Sequence, residues 1–375
     1  MIKSYKIRIY PTKEQEALMW KHIGSCRYIY NYMLSKQEEL YKAGEKHLSR
    51  FDMINLIKPL KNDGEHEWLK EVSNNSLCNI CGDLDKAYQS FFRKQASFPK
   101  FKSRKHSKPN FPVRYEALYF TDKQEVNIEK IGKVKFKTDF NLPIGRGRKF
   151  SNPRISSVND KWILSFGMES ENQAPVLTDK SMGIDLGVKD SAIVACGDKK
   201  LVFHNINKSK KVRFLKKKQT HLQRSISRKY EANRQGKKYI KTRNIERTET
   251  KLRKLYAKLA NIRNNYIHQS THAIVSLLPK RIVMEDLNVV GMMKNRHLSK
   301  SIQEQCFCEW IRQIKYKCEW NGIEFIQVGR FYPSSKRCSC CGEIKTNLKL
   351  SDRIYKCDKC GTVIDRDYNA AINLS

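Results

Sequence analysis

Two cysteine pairs near the end of the chain, CSCC at 338–341 and CDKC at 357–360, constrain this sequence more tightly than any other feature. Each is a CxxC followed at once by glycine, and 15 residues separate Cys341 from Cys357. Four thiolates at this spacing, Cys338, Cys341, Cys357 and Cys360, suit one tetrahedral Zn²⁺ ion held by two tight knuckles, a zinc ribbon. Such a site has no open coordination position, so it predicts a structural ion and no chemistry of its own. Cys340 interrupts the pattern, but pairing it with Cys338 would cramp the knuckle, so it is expected to stand aside. Cys78 and Cys81 also read CxxC. They lack a second pair nearby, and Cys81 falls on the apolar stripe of a predicted helix, so packing is expected there.

Acids in apolar surroundings are the second constraint. Asp185 lies inside GIDLGV and Glu285 closes IVMEDL, both strand-like runs. A carboxylate in such a place is costly without a partner. Two acids at neighbouring strand ends would share a hard divalent cation, Mg²⁺ or Mn²⁺. A third ligand is then expected, and Asp367 is the candidate, at the start of a predicted helix whose Asn369, Ala370 and Ala371 are small enough to pack on a sheet. The competing reading makes Asp365 or Asp367 only a helix N-cap. His268, Ser270 and His272 could suggest a hydrolase. The basic seam around them instead predicts a phosphate contact or a packed residue at His268.

Charge narrows the partners. The 375 residues carry 74 Lys+Arg against 38 Asp+Glu, a formal net charge of +36. Self-repulsion of this size opposes folding, and a polyanion relieves it. Nucleic acid is the expected one, with a ribosome-associated or merely sticky basic protein as the alternative. The densest run, Lys208 to Lys254, holds 19 Lys/Arg and 3 Asp/Glu. Leu252, Leu255, Leu259, Ile262 and Tyr266 beside it recur at helical spacing, which predicts a helical hairpin. No run of about 18 apolar residues predicts a membrane span. The start, MIKSYKIRIYPT, lacks a signal-peptide core, so a reducing, cytoplasmic location is expected for the 12 cysteines.

Along the chain, IKSYKIRIY predicts a strand and Thr12 with Gln15 a capping box. The following helix is expected to bury Ala17, Trp20, Ile23, Tyr28 and Tyr32. A second helix carries Leu77, Ile80, Cys81, Leu84, Tyr88 and Phe91, and ends in FFRKQASFPKFKSRKHSKPNFP, where aromatics and cations interleave. Strands are expected at 133–137 and 161–166, with GRGRK (145–149) in a loop, giving a small β-barrel-like unit with the helices inserted. Three strands follow in 182–205, one in KRIVMEDL (280–287) and one in GIEFIQVG (322–329). Ser301 with Glu304 predicts the cap of a helix reaching Cys318.

GIDLGVKD (183–190), VMEDLNVVGMMKN (283–295), PSSKRCSCCG (333–342) and CDKCGTVIDRDYNAAINL (357–374) together resemble the TnpB family of insertion-sequence proteins, relatives of the type V CRISPR effector nucleases. YKIRIYPTKEQ and FPKFKSRK extend the resemblance over nearly the whole chain. It implies a multidomain α+β protein: a β-barrel wedge (1–10 and 108–178), a helical recognition domain (11–107), a RuvC-like, RNase H-type α/β nuclease domain (179–330 and 361–375), and a zinc ribbon (331–360). It implies a metal-dependent endonuclease of a transposable element, with guide RNA from the transposon end and target double-stranded DNA as partners, in a monomeric ribonucleoprotein. Asp185, Glu285 and Asp367 correspond to its acids and would hold two Mg²⁺ (or Mn²⁺) ions about 4 Å apart. Asp365 would stand behind them or cap the helix. Arg146, Arg148 and Lys149, Lys100, Lys102 and Arg104, and His268 are expected nucleic-acid contacts. Tyr28, Phe91, Phe92, Phe98 and Phe101 are candidate stacking rings, most of them expected in the core. The chain stops at Ser375, eight residues beyond Asp367. A helix of two turns needs packing against the sheet to hold. A non-cleaving RNA-guided DNA-binding protein, an accessory transposition factor and a strand-joining transposase are the rival readings.

Overall fold

The computed structural model describes residues 2–170, 175–349 and 352–375. The chain divides into two compact units, residues 1–171 and 172–375.

In the first unit, β1 (Ile2–Tyr10) leads through Thr12 into α1 (Lys13–Lys42). The predicted capping box forms: the Gln15 N–H donates to Thr12 Oγ1 at 3.3 Å, and the Thr12 N–H donates to Gln15 Oε1 at 3.0 Å. Next come α2 (Arg50–Asn55), α3 (Ile57–Lys61) and α4 (Asn74–Phe92). Six strands follow: β2 (Asn110–Pro112), β3 (Tyr119–Phe120), β4 (Glu125–Ile128), β5 (Gly132–Lys137), β6 (Ser151–Val158) and β7 (Lys161–Glu169). With β1 they make a seven-stranded antiparallel sheet ordered β2-β6-β7-β1-β5-β4-β3. The β-barrel-like unit expected here is a half-barrel whose two end strands do not pair with each other among the described residues. Apolar side chains of sheet and helices share one core. Arg154 of β6 donates to both carboxylate oxygens of Asp83 in α4, at 2.6 and 2.7 Å.

The buried face of α1 differs from the expected one. Met19, Ile23, Cys26, Tyr30 and Met33 are inside, whereas Ala17 and Trp20 are exposed. His22 is wholly buried on that rotated face, its Nδ1 2.8 Å from the Leu18 carbonyl while Nε2 accepts from the Ser73 N–H. A polar residue able to satisfy both ring nitrogens internally belongs to the core, and a count of apolar residues alone misplaces the face.

The second unit opens with β8 (Thr178–Asp185), β9 (Asp190–Cys196) and β10 (Lys199–His204). The basic run forms the expected hairpin, α5 (Lys210–Ala232) and α6 (Arg243–Val275), joined through a ribbon of β11 (Arg234–Gln235) and β12 (Lys238–Tyr239). Val212, Leu215, Leu255 and Leu259 are its seam. Then come β13 (Pro279–Glu285), α7 (Val289–Met293), α8 (Ser299–Gln305), α9 (Phe307–Asn321) and β14 (Glu324–Val328). The end of the chain holds β15 (Ile354–Lys356), β16 (Val363–Asp365) and α10 (Arg366–Leu374). The single capped helix expected from Ser301 to Cys318 is in fact two. Cys306 adopts φ 54° between them, and no side chain caps either start. The break serves Gln305, which accepts from Ser191 Oγ at 3.0 Å and donates to the Val188 carbonyl at 3.1 Å.

The main sheet of this unit is ordered β10-β9-β8-β13-β14. Its first three strands are antiparallel, and β8, β13 and β14 run parallel. Side chains alternate between faces. Met182, Ile184, Val194, Ile282 and Met284 point to the core shared with α6 and α9. Gly183, Asp185, Ile193, Ala195 and Glu285 therefore point to the other face, where α10 sits with Ala371 against Ile193 and Ala195. Contact there is at backbone distance: a Cβ on Gly183 would lie 2.0 Å from the Ala371 carbonyl oxygen and 2.5 Å from the Ser375 nitrogen. Gly183→Ala must push the helix off the sheet. We expect a loss of about 1–3 kcal/mol or more in stability, read as a lowered melting temperature, whereas Ser181→Ala on the same strand should melt close to the parent.

Candidate metal centres

The two CxxC segments form matching knuckles. Gly342 and Gly361 take φ of 76° and 71°, the left-handed region that glycine enters at no steric cost. Their N–H groups donate to the carbonyls of Cys338 and Cys357, at 3.0 and 3.1 Å. The sulfurs of Cys338, Cys341, Cys357 and Cys360 all lie within 4.8 Å of one another. Cys338 to Cys360 is 3.6 Å and Cys341 to Cys357 3.5 Å. Metal–sulfur bonds of about 2.3 Å around a tetrahedral ion give edges of about 3.8 Å, so these thiols fit one such ion. Thr362 sits 3.1 Å from Cys360 Sγ, and its hydrogen bonds hold that thiol down to about 6. Buried Tyr355 packs between Cys338 and Cys357. Cys340 is exposed outside the cluster, and Cys78 and Cys81 lie on α4 with Cys81 buried; both accord with the spacing argument.

The acids occupy the α10 face. Strand β13 runs parallel to β8 with Met284 opposite Ile184, so Asp185 and Glu285 end adjacent strands side by side. Asp367 lies in the first turn of α10. All three are half-buried. Burial, then the charges of Glu285 and Asp367, hold the Asp185 carboxyl well above the ordinary range, against the opposing pull of Arg366. Burial and Asp365 raise Asp367 too, while Arg353, Arg366 and Lys189 pull it down. Asp185 thus feels both other carboxylates, yet the three are spread more widely than the thiols, which alone among the described residues gather within 4.8 Å. Asp365 is the N-cap: its Oδ1 accepts the Tyr368 N–H at 3.0 Å.

Several positioning residues escaped sequence reasoning. Ser334, buried just before the first knuckle, donates its hydroxyl to Glu285 Oε1. Asn369, wholly buried, donates to the Arg337 carbonyl at 2.7 Å and accepts from the Ser339 N–H at 3.0 Å. Asn373, one turn on, donates to the carbonyls of Ser334 and Arg337, both at 2.7 Å. Residues 334–339 therefore grip both the acid-bearing strand and the acid-bearing helix. The i, i+4 spacing of the two asparagines was the available signal.

The expected nucleic-acid contacts are scattered. Lys100, Arg104, Arg148 and Lys149 are exposed. Arg146 lies over the Tyr119 ring at 4.9 Å. Lys102 is half-buried with Nζ 3.6 Å from the Tyr30 ring centre. His268 has Nε2 3.5 Å from the Tyr316 hydroxyl, and burial, then the Lys317 cation, lower its pKa. Among the candidate stacking rings, Phe92, Phe98 and Phe101 are 63%, 44% and 54% exposed, not core as expected. Phe92 is the last residue of α4, and Phe98 and Phe101 flank Pro99 just beyond it, where too few apolar partners remain to cover them.

Fold and thiol cluster define a Cas12-like, mixed α/β class. A solved structure, a cryo-EM Cas12f1–sgRNA–target DNA complex, overlays with a TM-score of 0.63 at 14% identity, covering 100% of this chain and 98% of that one. Residues 1–46 match the family described as "Helix-turn-helix domain", 165–296 that described as "Probable transposase", and 307–374 "Cas12f1-like, TNB domain". The Escherichia coli (strain K12) protein named "Putative RNA-guided DNA endonuclease InsQ" is 31% identical over 391 residues, covering 100% of this chain and 91% of its own. "TnpB-like protein L770" of Acanthamoeba polyphaga mimivirus is 23% identical over 401 residues, 100% of this chain and 72% of its own. The Cas12f1 endodeoxyribonuclease of Sulfoacidibacillus thermotolerans is 31% identical over 225 residues, 58% of this chain and 50% of its own. The chain belongs to the TnpB family.

Ser334→Ala should loosen Glu285 without touching the thiols. Removing a buried hydrogen-bond donor from a carboxylate costs about 1–3 kcal/mol, so we expect Ser334→Ala to lower the melting temperature while Ser334→Thr, which keeps the hydroxyl, melts close to the parent.

Proposed function

We propose that this chain is an RNA-guided DNA endonuclease of a transposable element. A bound guide RNA would select the target by base pairing while the protein reads a short flanking motif and the duplex shape. One observation carries the reading: Asp185 and Glu285 end adjacent parallel strands, and α10 brings Asp367 over the same face. The sheet order supports a RuvC-like, RNase H-type assignment for 179–330 with 361–375, beside a wedge (1–10, 108–178), a recognition domain (11–107) and a zinc ribbon (331–360).

Zn²⁺ is assigned to the four thiols, and two Mg²⁺ or Mn²⁺ ions to Asp185, Glu285 and Asp367. Carboxylates flanking two ions about 4 Å apart are spread more widely than ligands of a single ion, as these three are. Bound there, such ions supply an activated water and neutralise the departing 3′ oxygen. The chain's own part is placement. Ser334 orients Glu285, Asp365 caps the helix that carries Asp367, and Asn369 and Asn373 set that helix against the knuckles.

The test is to purify the full chain, sequence the RNA that accompanies it, and offer DNA matching the RNA 3′ end beside randomised flanks. Mg²⁺-dependent double-strand breaks next to one flank are expected, abolished by Asp185→Ala and Asp367→Ala. Asp365→Asn keeps a capping oxygen and should keep cutting, whereas Asp365→Ala costs about 0.5–2 kcal/mol of stability. Binding without breaks, or activity that requires transposon ends, would overturn the reading.

A second outcome follows from the raised Asp185. In the ion-free chain the folded state keeps a proton that the unfolded chain releases near 3.8, so stability falls as pH climbs from there to the folded value. Asp185→Asn removes that loss. Without divalent ions it should melt above the parent, by a margin larger at pH 8 than at pH 4, and it should lose most of the stabilisation that Mg²⁺ gives the parent.

A further inference from the structure

The first unit holds a cavity of about 740 Å³ between α1, α4 and the segment 102–110, a size that suits a small-molecule or single-residue ligand. Its floor is apolar, made by the buried Ile23, Cys26 and Ile80. Its wall is cationic: Arg27, Lys102, Arg104 and Lys108 line it, and among the described residues no carboxylate does. A neighbouring cavity of about 230 Å³ has Asp83 and Glu116 among its lining residues and lacks this one-sided charge.

Trp20 belongs to the larger cavity, 46% exposed. Its ring is held edge-on against Trp162 with centres 5.2 Å apart, which leaves indole surface open on a rigid helix. The cationic wall is also built rather than loose. Asn31 ties the Lys102 backbone at both its N–H and its carbonyl, at 2.7 and 2.9 Å. Ser107 Oγ accepts from the Ser103 N–H at 3.0 Å, and Ser103 Oγ accepts from the His106 N–H at 3.1 Å. An aromatic plane beside fixed cations, over an apolar floor, matches a planar heterocycle carrying a phosphate.

We propose that this cavity takes one unpaired nucleotide of a single strand, its base against the Trp20 indole and its phosphate among Arg27, Arg104 and Lys108. The proposal rests on the reading that this chain works on nucleic acid. It adds a site remote in sequence from the acid centre, one that cutting does not by itself require.

The test uses the full chain in EDTA at about 0.2 M salt, where scattered cationic contacts are weak. Short single strands of RNA carrying one 5-iodouridine, or of DNA carrying one 5-iododeoxyuridine, are bound, irradiated, and the cross-linked peptide mapped by mass spectrometry. The adduct is expected on the peptide bearing Trp20. The RNA arm alone would mark a guide nucleotide and the DNA arm alone a target nucleotide; either supports the site. Trp20→Ala should remove the adduct and weaken that strand about five- to 150-fold, while Trp20→Phe keeps a stacking ring and most of the binding. Exposed Arg104, changed to Glu, should lower the slope of log affinity against log salt by about 0.7, one phosphate contact on a single strand. Unchanged adducts in Trp20→Ala, or equal loss in Trp20→Ala and Trp20→Phe, would overturn the site. Asp185→Ala should leave the adduct intact. An adduct in a parent that never cuts would sink the nuclease reading alone, and cutting without an adduct would sink the pocket alone.

Discussion

The seating of α10 on bare sheet backbone is the contact on which the rest of the second unit depends. A helix of nine residues has almost no stability of its own, because nucleation costs more than so few hydrogen bonds return. Here three features replace length. Gly183 lets the helix approach the sheet at backbone distance. Buried Ala370 and Ala371 present no bulk. Asn369 and Asn373 then fasten the helix to residues 334–339 through paired hydrogen bonds. Asp367 is fixed because the helix beneath it is fixed.

The thiol cluster is the other end of the same device. An ion in its four sulfurs would rigidify the knuckles, and the strap leading into the first knuckle carries Ser334, whose hydroxyl reaches Glu285. The hairpin that closes the second knuckle ends at Asp365, the cap of α10. One structural ion would therefore hold two of the three acids from opposite directions, which gives a physical reason for a ribbon inserted between the second acid and the third. A ribbon that only added stability would have no need to touch both.

Much of this was legible in the sequence where local chemistry dominates. Knuckle spacing, the Thr12 capping box and the apolar strands that hold Asp185 and Glu285 each depend on a few adjacent residues, and each appears in the structure as expected. What was not legible depends on partners distant in sequence. The α1 face turned because His22 finds an acceptor and a donor in Leu18 and Ser73, and no periodicity of apolar residues records that. The break at Cys306 exists for Gln305, whose partners lie more than a hundred positions upstream. Nothing local to Gly183 records the helix that sits on it, because that contact comes from Ala371 and Ser375 at the other end of the chain. Asp365 was ambiguous because cap and second acid look alike in sequence, and only the Tyr368 N–H separates them.

The charge balance sharpens the case for a cation at the acid site. A chain with net charge +36 has basic side chains to spare, and next door they are used: Arg330 donates to Asp286 at 2.9 Å. Glu285, one position earlier, receives a neutral hydroxyl instead. Arg366, whose charge opposes the rise at Asp185, donates to the Lys349 carbonyl at 2.9 Å, and its pull on Asp185 is outweighed by burial and like charge. Remote lysines do not make up the difference, since solvent and salt screen them within about 10 Å. A permanent Lys or Arg bridge would satisfy these carboxylates and leave nothing for a mobile ion to gain. Among the described residues no such bridge reaches them, which costs stability in the ion-free state, and under the proposed function a divalent cation would recover that cost on binding.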